Sequence, residues 1–229
     1  ISEVGSFNYL HKKQTGGAGQ FARVIGRIEP LVNDFSSATA EEKANIFVDE
    51  TGGQNIPNEY IPAIEKAFHE ICKKGPLTGS PVIGVKYVLE NGQTHAVDSS
   101  SMAFSIATKY SMTEAFEKSS AILLEPIMEV EVSGPAEYQN SIMNTLSKRK
   151  GNVYDMNTQN ESFVCNAEVS LANMFGYATE LRSITQGVGE FSMEYKYHNA
   201  VSAFEVDDII EKKKREQAIK ADKKRGGGF

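Results

Sequence analysis

The sequence predicts an α+β protein of two successive domains, on three observations. Segments that alternate apolar and polar residues recur through both halves of the chain, interrupted by four stretches with apolar residues at helical spacing. The order of elements restarts after a seam near "KSSAILLEP". A length of 229 residues with 40% hydrophobic content suits two cores of ordinary size. The expected boundaries are 1–119 for the first domain, 120–200 for the second, and 201–229 for a charged C-terminal helix running into a disordered end.

In the first domain, "FNYLHKK" and "FARVIGRIEPL" read as the two strands of a long hairpin. The polar run from Val32 to Asn45 reads as a surface insertion. Tyr60, Ile61, Ile64, Ala67, Phe68, Ile71 and Cys72 recur at helical spacing, with Asn58 as cap and Gly75-Pro76 as stop. A strand "PVIGVKYVLE" follows, then a hairpin turn at Asn91-Gly92 and a short extended piece "THAVD". Ser99 to Ser101 open a second helix, Asp98 and these three serines reading as its caps and Ala103, Ile106, Ala107 and Tyr110 forming its inner face.

The second domain opens on the strand "LLEPIMEVEVSG". Pro135 begins a helix with Tyr138, Ile142 and Leu146 inward, ended at Lys148 to Gly151. "NVYDMNT" and "FVCNAEVSL" are strands around the turn "QNES", and Phe163, Cys165, Ala167, Val169 and Leu171 alternate on one covered face. One helix is expected over 173–185 with Met174, Ala178 and Leu181 inward, then a strand placing Phe191, Met193, Tyr195 and Tyr197 on one side. The order βαββαβ is that of the ferredoxin-like sandwich.

Composition excludes several classes. No run of about 18 apolar residues and no secretory pattern is present, so neither a membrane partner nor a spanning segment is expected. A net charge of −6 argues against electrostatic coating of nucleic acid, so any RNA contact must be local. The tail from Glu205 carries eight basic residues against six acidic, a solvated helix in the simplest reading. Cys72 and Cys165 lie outside any metal-ligand spacing and read as buried, reduced thiols. His11, His69, His95 and His198 show no HExxH or other metal pattern, and no catalytic constellation is expected.

The unusual stretch is "KKQTGGAGQF", Lys12 to Phe21. A phosphate-binding loop needs GxxxxGK[ST], or GxGxxG, with a helix following, so that amides and the helix dipole face the anion. Here a strand follows instead, which removes the nucleotide reading. A flexible hairpin tip accounts for the glycines, and exposed amides at such a tip can also lie against an RNA backbone or minor groove. His95 projects from a second loop that could lie near the first.

Taken together, "HKKQTGGAGQFARVIGRIEPL", "NIPNEYIPAIEKAF", "GPLTGSPVIGVKYVL", "HAVDSSSMAF", "LLEPIMEVEV" and "MFGYATELRSITQGVGEFSMEY" resemble the C-terminal part of translation elongation factor G. The resemblance runs in order from Phe7 to Tyr197, and the GGAGQ form with the polar insertion is most similar to the mitochondrial type 1 branch. It implies the fourth and fifth domains of a ribosomal GTPase: a ribosomal-protein-S5-like unit followed by the ferredoxin-like sandwich. No Walker A or NKxD occurs in the chain. GTP and magnesium are therefore expected on an N-terminal domain outside it, with no cofactor or metal here, and Ile1 is expected to start a fragment.

The resemblance further implies GTP-dependent translocation of tRNA and mRNA by a monomer on the ribosome, in the mitochondrial matrix or a bacterial-type cytoplasm. Gln14, Thr15, Gly16, Gly17, Ala18, Gly19 and Gln20 would form the first tip loop and His95 would lie in the second, both against the codon–anticodon duplex. Bacterial relatives commonly carry Arg where this chain has Ala18, which removes a charged contact there. Phe175, Tyr177 and Arg182 would face large-subunit rRNA. Alternatives are a ribosome-recycling paralogue, a standalone RNA-binding module, and an enzyme using His95 with Asp98. In the tail, Ile209, Ile210 and Gln217 are the inward candidates.

Overall fold

The computed structural model describes residues 1–13 and 19–226; in the last helix the side chains of residues 214, 217, 218 and 220–226 lie outside that description. The chain is α+β, as expected, and divides into two compact units.

The first unit contains β1 (Gly5–Lys13), β2 (Gln20–Pro30), β3 (Ile46–Asp49), α1 (Ile61–Lys73), β4 (Val85–Gln93) and α2 (Ser101–Lys118). Its sheet has the order β1-β2-β4-β3, antiparallel except for the parallel β3–β4 pair that α1 connects. β2 buries Ala22, Val24 and Ile28 at alternate positions, as a sheet covered on one face requires. These residues pack with Phe7, Ile64, Phe68, Tyr87, Leu89, Phe104 and Met112 into one core beneath the two helices.

Several local expectations are corrected here. Asn91-Gly92 is not a turn: β4 runs through it, pairing Asn91 with Ile25 and Gly92 with Val24. Gly92 has no positive φ; a Cβ there would lie 2.3 Å from the Arg23 carbonyl oxygen and 2.4 Å from Ile56. The glycine serves close approach between strands, the other reason for glycine in a sheet. The strand β3 directly follows the polar insertion and was not anticipated, because four residues carry too little periodicity.

Asn58 does not cap α1. It opens a 3₁₀ turn over Asn58–Tyr60, and the helix begins behind Tyr60 with Pro62 in its first turn. α2 is capped by Ser100, whose Oγ accepts from the Ala103 amide at 3.2 Å, and not by Asp98. Its buried face is Ala103, Phe104, Ala107, Thr108, Ser111, Met112 and Ala115, which leaves Tyr110 exposed and stacked on Tyr9 at 5.3 Å. The two polar residues hid this face from a hydrophobic pattern. They are tolerated because Thr108 donates to the Phe104 carbonyl at 2.8 Å and Ser111 to the Thr108 carbonyl at 2.9 Å, with the Tyr87 hydroxyl 3.1 Å from Ser111.

The second unit contains β5 (Leu124–Pro135), α3 (Gln139–Lys148), β6 (Asn152–Gln159), β7 (Ser162–Ser170), α4 (Leu171–Met174), α5 (Tyr177–Ile184) and β8 (Glu190–Ala200). The antiparallel order β6-β7-β5-β8 is that of the ferredoxin-like sandwich. Phe163, Cys165, Ala167 and Val169 on β7 are buried with Val130, Val132, Ile142 and Leu146. Pro135 ends β5 instead of opening the helix, pairing with Ser162 before a 3₁₀ turn leads into α3. The single helix expected over 173–185 is two, broken at Gly176 with φ +77°, and Ala178 is exposed. On β8, Phe191 and Tyr197 are half-buried while Met193 and Tyr195 are exposed, because β8 is an edge strand.

α6 (Ala203–Gly226) forms the expected charged helix, with Ile209 and Ile210 half-buried; the side chain of Gln217 lies outside the described residues.

Two outcomes follow. At Gly26, where the β2–β4 register shifts, an added Cβ would lie 2.0 Å from the Val88 carbonyl oxygen, an immovable backbone atom. Gly26→Ala is expected to lose about 3 kcal/mol in urea unfolding. Burial pushes the Cys72 thiol up to about 12 and the Cys165 thiol up to about 11, from an ordinary 9.0. The native state thus keeps these protons where the unfolded chain releases them, so stability falls as pH rises from 9.0 toward 12. Thermal melts across that window should show the decline, and a thiol reagent at neutral pH should react only on unfolding.

Candidate nucleic-acid interface

Gln14, Thr15, Gly16, Gly17 and Ala18 lie outside the described residues, so the interface is built from the residues that frame them. The β1–β2 ladder reaches its last rung at Lys13 opposite Gln20, which brings both ends of the glycine loop together. Lys12 and Lys13 are exposed there, a local positive charge on a chain of net charge −6. Gln20 is half-buried and its carboxamide oxygen is bonded to the His11 ring at 2.8 Å, so that oxygen braces the hairpin.

The second loop is joined to the first through Phe21. β4 pairs with β2 only from Arg23 onward, leaving the Phe21 backbone groups to find partners beyond the sheet. The Phe21 amide donates to the Asp98 carbonyl at 2.8 Å, and the Phe21 carbonyl accepts from Ser99 Oγ at 2.7 Å. The Phe21 and His95 rings lie 5.9 Å apart. Gly19 sits against the Asp98 carboxylate, where a Cβ would come within 2.4 Å of it. Gly19, Phe21, His95, Asp98 and Ser99 thus form one clamp between the two loops.

Within the second loop, His95 Nδ1 accepts from the amides of Val97 at 3.3 Å and Asp98 at 3.2 Å, while the His95 amide donates to Ser99 Oγ at 2.9 Å. An accepting Nδ1 places the ring proton on Nε2, and the side chain is 48% exposed, so an N–H donor is offered to a ligand. The Asp98 carboxylate is 3.5 Å from Nδ1, too distant for the hydrogen bond that orients a catalytic histidine. With Ser99 Oγ committed to Phe21, this cluster braces a loop and has no nucleophile–base pair. The roles of Asp98 and Ser99 were not legible as such, since both read locally as helix caps.

The residues expected to face large-subunit rRNA separate. Phe175 is 79% exposed and Arg182 is exposed, whereas Tyr177 is fully buried in the core, edge-on to Phe191 at 5.1 Å. Tyr177 is therefore corrected to a packing residue. Its position after the Gly176 break turns it inward, a bend that an unbroken helix would not have. Among the described residues there is no group of three or more His, Cys, Asp or Glu that could hold a metal, and no helix long and apolar enough to cross a membrane.

Ser99→Ala deletes both bonds of the hydroxyl, leaving the Phe21 carbonyl without its donor and the His95 amide without its acceptor, a loss of about 2 kcal/mol. Hydrogen exchange at the amides of Phe21 and of residues 95–99 should quicken while the sheet amides of β2 and β4 keep their protection.

Comparison with known proteins covers most of the chain. The family model for elongation factor G, domain IV, matches residues 2–120, and that for the elongation factor G C-terminus matches residues 122–209. The chain is 42% identical over 220 residues to the mitochondrial elongation factor G of Drosophila grimshawi, covering 96% of this chain and 29% of the relative. A crystal structure of a Thermus thermophilus protein is 33% identical, with a TM-score of 0.77, covering 94% of this chain and 31% of the other. The chain thus spans under a third of the length of either relative. With two family models in direct succession over nearly all of its residues, the chain belongs to the elongation factor G family.

Proposed function

We propose that the chain is the RNA-engaging, C-terminal part of a translocation factor acting as a monomer on the mitochondrial ribosome. GTP and magnesium are handled by a domain outside these residues, and the chain itself has no chemical step to perform. Its task is mechanical: the two joined loops enter the decoding region and bear on the codon–anticodon duplex, so that tRNA and mRNA move together. The mitochondrial matrix as its site of action rests on the similarity to a mitochondrial relative.

The observation that carries this reading is the clamp at Phe21. It joins the end of β2 to a loop 78 residues away in sequence and gathers there the His95 ring and two exposed lysines. Shape, backbone amides and a few cations are what an RNA duplex presents itself to, since its minor groove is read by contour and hydroxyl contacts. These features support a probe of duplex geometry and do not favour a hydrolytic site.

In the full-length factor, Gly17→Val or His95→Ala should slow tRNA–mRNA movement while leaving ribosome-stimulated GTP hydrolysis nearly intact. Rapid kinetics of both steps on the same ribosomes decide it. Equal loss of both activities would contradict the division of labour, and activity confined to splitting ribosomes would instead identify a recycling factor.

A further inference from the structure

The outer face of the first sheet, opposite the helices, changes character along β2. Ala22, Val24 and Ile28 are buried toward the core, so the alternate positions Arg23, Ile25, Arg27 and Glu29 belong to the outer face. Its two arginines are held in opposite ways.

Arg27 is neutralised where it stands. Its Nε donates to Glu29 at 2.6 Å and its Nη1 to Glu90, Glu50 lies 3.6 Å from Nη1, and Lys86 pairs with Glu29 at 3.1 Å. Two cations meet three carboxylates there, so this half of the face offers no net positive charge.

Arg23, nearer the tip, is half-buried and spans three strands: Nε donates to Asn8 Oδ1 on β1 at 2.8 Å, and Nη1 to Gln93 Oε1 on β4 at 3.3 Å. Both partners are neutral amides, and among the described residues Arg23 forms no ion pair. Those bonds leave Nη2 and the second N–H of Nη1 for a ligand. Across the ladder, exposed Leu10 lies opposite Arg23 and exposed Lys12 opposite Phe21, which adds a second cation to the same face. Asn8, Ile25 and Gln93 complete these rows without a carboxylate.

We propose that Arg23, set by Asn8 and Gln93, binds a phosphate, and that the outer face of β1, β2 and β4 behind the tip lies against an RNA backbone. The proposal rests on the ribosomal reading above and extends it from the loops to the sheet that carries them. Amides orient a guanidinium without cancelling its charge, whereas carboxylates in their places would repel a phosphate. A fork fixed at Nε and Nη1 and open at Nη2 suits the paired oxygens of a phosphodiester. A protein partner would instead call for a large apolar or aromatic anchor at the centre of the patch. Leu10, at 45% exposure, is the exposed large apolar side chain in these rows.

The test uses the full-length factor and purified ribosomes carrying tRNA and mRNA, with affinity measured by sedimentation over about 50 to 200 mM salt. Arg23→Gln should make the slope of log affinity against log salt shallower by about one, while Arg27→Gln keeps the wild-type slope. Asn8→Asp should lose the same slope as Arg23→Gln without a lower melting temperature, because it gives Arg23 an ion pair of its own. A purely structural arginine would gain from that change. Leu10→p-benzoylphenylalanine should crosslink to RNA on irradiation, and whether the product is tRNA–mRNA or small-subunit rRNA identifies which backbone is held.

Wild-type slopes in Arg23→Gln and Asn8→Asp, or a crosslink to a ribosomal protein, would overturn the phosphate assignment. An equal loss in Arg27→Gln would reduce the effect to overall charge and overturn it as well. If those results came with a His95→Ala factor that still slows tRNA–mRNA movement, the tip reading would stand and this surface alone would fall. A wild-type factor that does not sediment with ribosomes would remove both.

Discussion

The candidate surface depends on the two backbone groups of Phe21. A strand that outruns its neighbour leaves amides and carbonyls without ladder partners, and each such group costs stability when it is shielded from water. β2 runs past the end of β4 on the tip side, and the turn before α2 supplies what is missing through the Asp98 carbonyl and Ser99 Oγ. The end of β2 and the loop that carries His95 are thereby given one geometry. Gly19 is part of the same constraint, because the Asp98 carboxylate occupies the place a side chain would need.

The second unit solves a similar problem by a different chemistry. Its bend at Gly176 leaves carbonyls at Asn173 and Phe175 with no helical partner, and Arg149 satisfies both while pairing with Glu180. In each unit an irregular piece of backbone is held by a few directed hydrogen bonds that reach it from another element, and in each the irregular piece displays an exposed ring. On a chain of net charge −6, Lys12 and Lys13 are exposed beside the first of these pieces, while Arg149 at the second is paired with Glu180.

Much of the scaffold was legible from local pattern. β7 alternates along nearly its whole length and α1 has an unbroken apolar face, so these elements and the βαββαβ order followed directly. The inner face of α2 was not legible, since Thr108 and Ser111 are buried there by hydrogen bonds that no hydropathy pattern records. Asn91-Gly92 carried a strong turn signal that proved to be a packing requirement against Arg23 and Ile56. Tyr177 shared a motif with Phe175, but a left-handed glycine between them sends one inward and the other out.

The sequence by itself determined the α+β class, the two-part order, most of the strands and helices, and the family resemblance, because periodicity, caps and contiguous motifs are properties of neighbouring residues. Only the tertiary structure decided that Asp98 and Ser99 serve the tip instead of capping α2, that Arg149 governs the loop of Phe175, and that Tyr177 belongs to the core. The reason is separation: Ser99 and Phe21 lie 78 residues apart, and Arg149 and Phe175 lie 26 apart. Bonds of that span exist only once the strands and helices that carry the residues have packed.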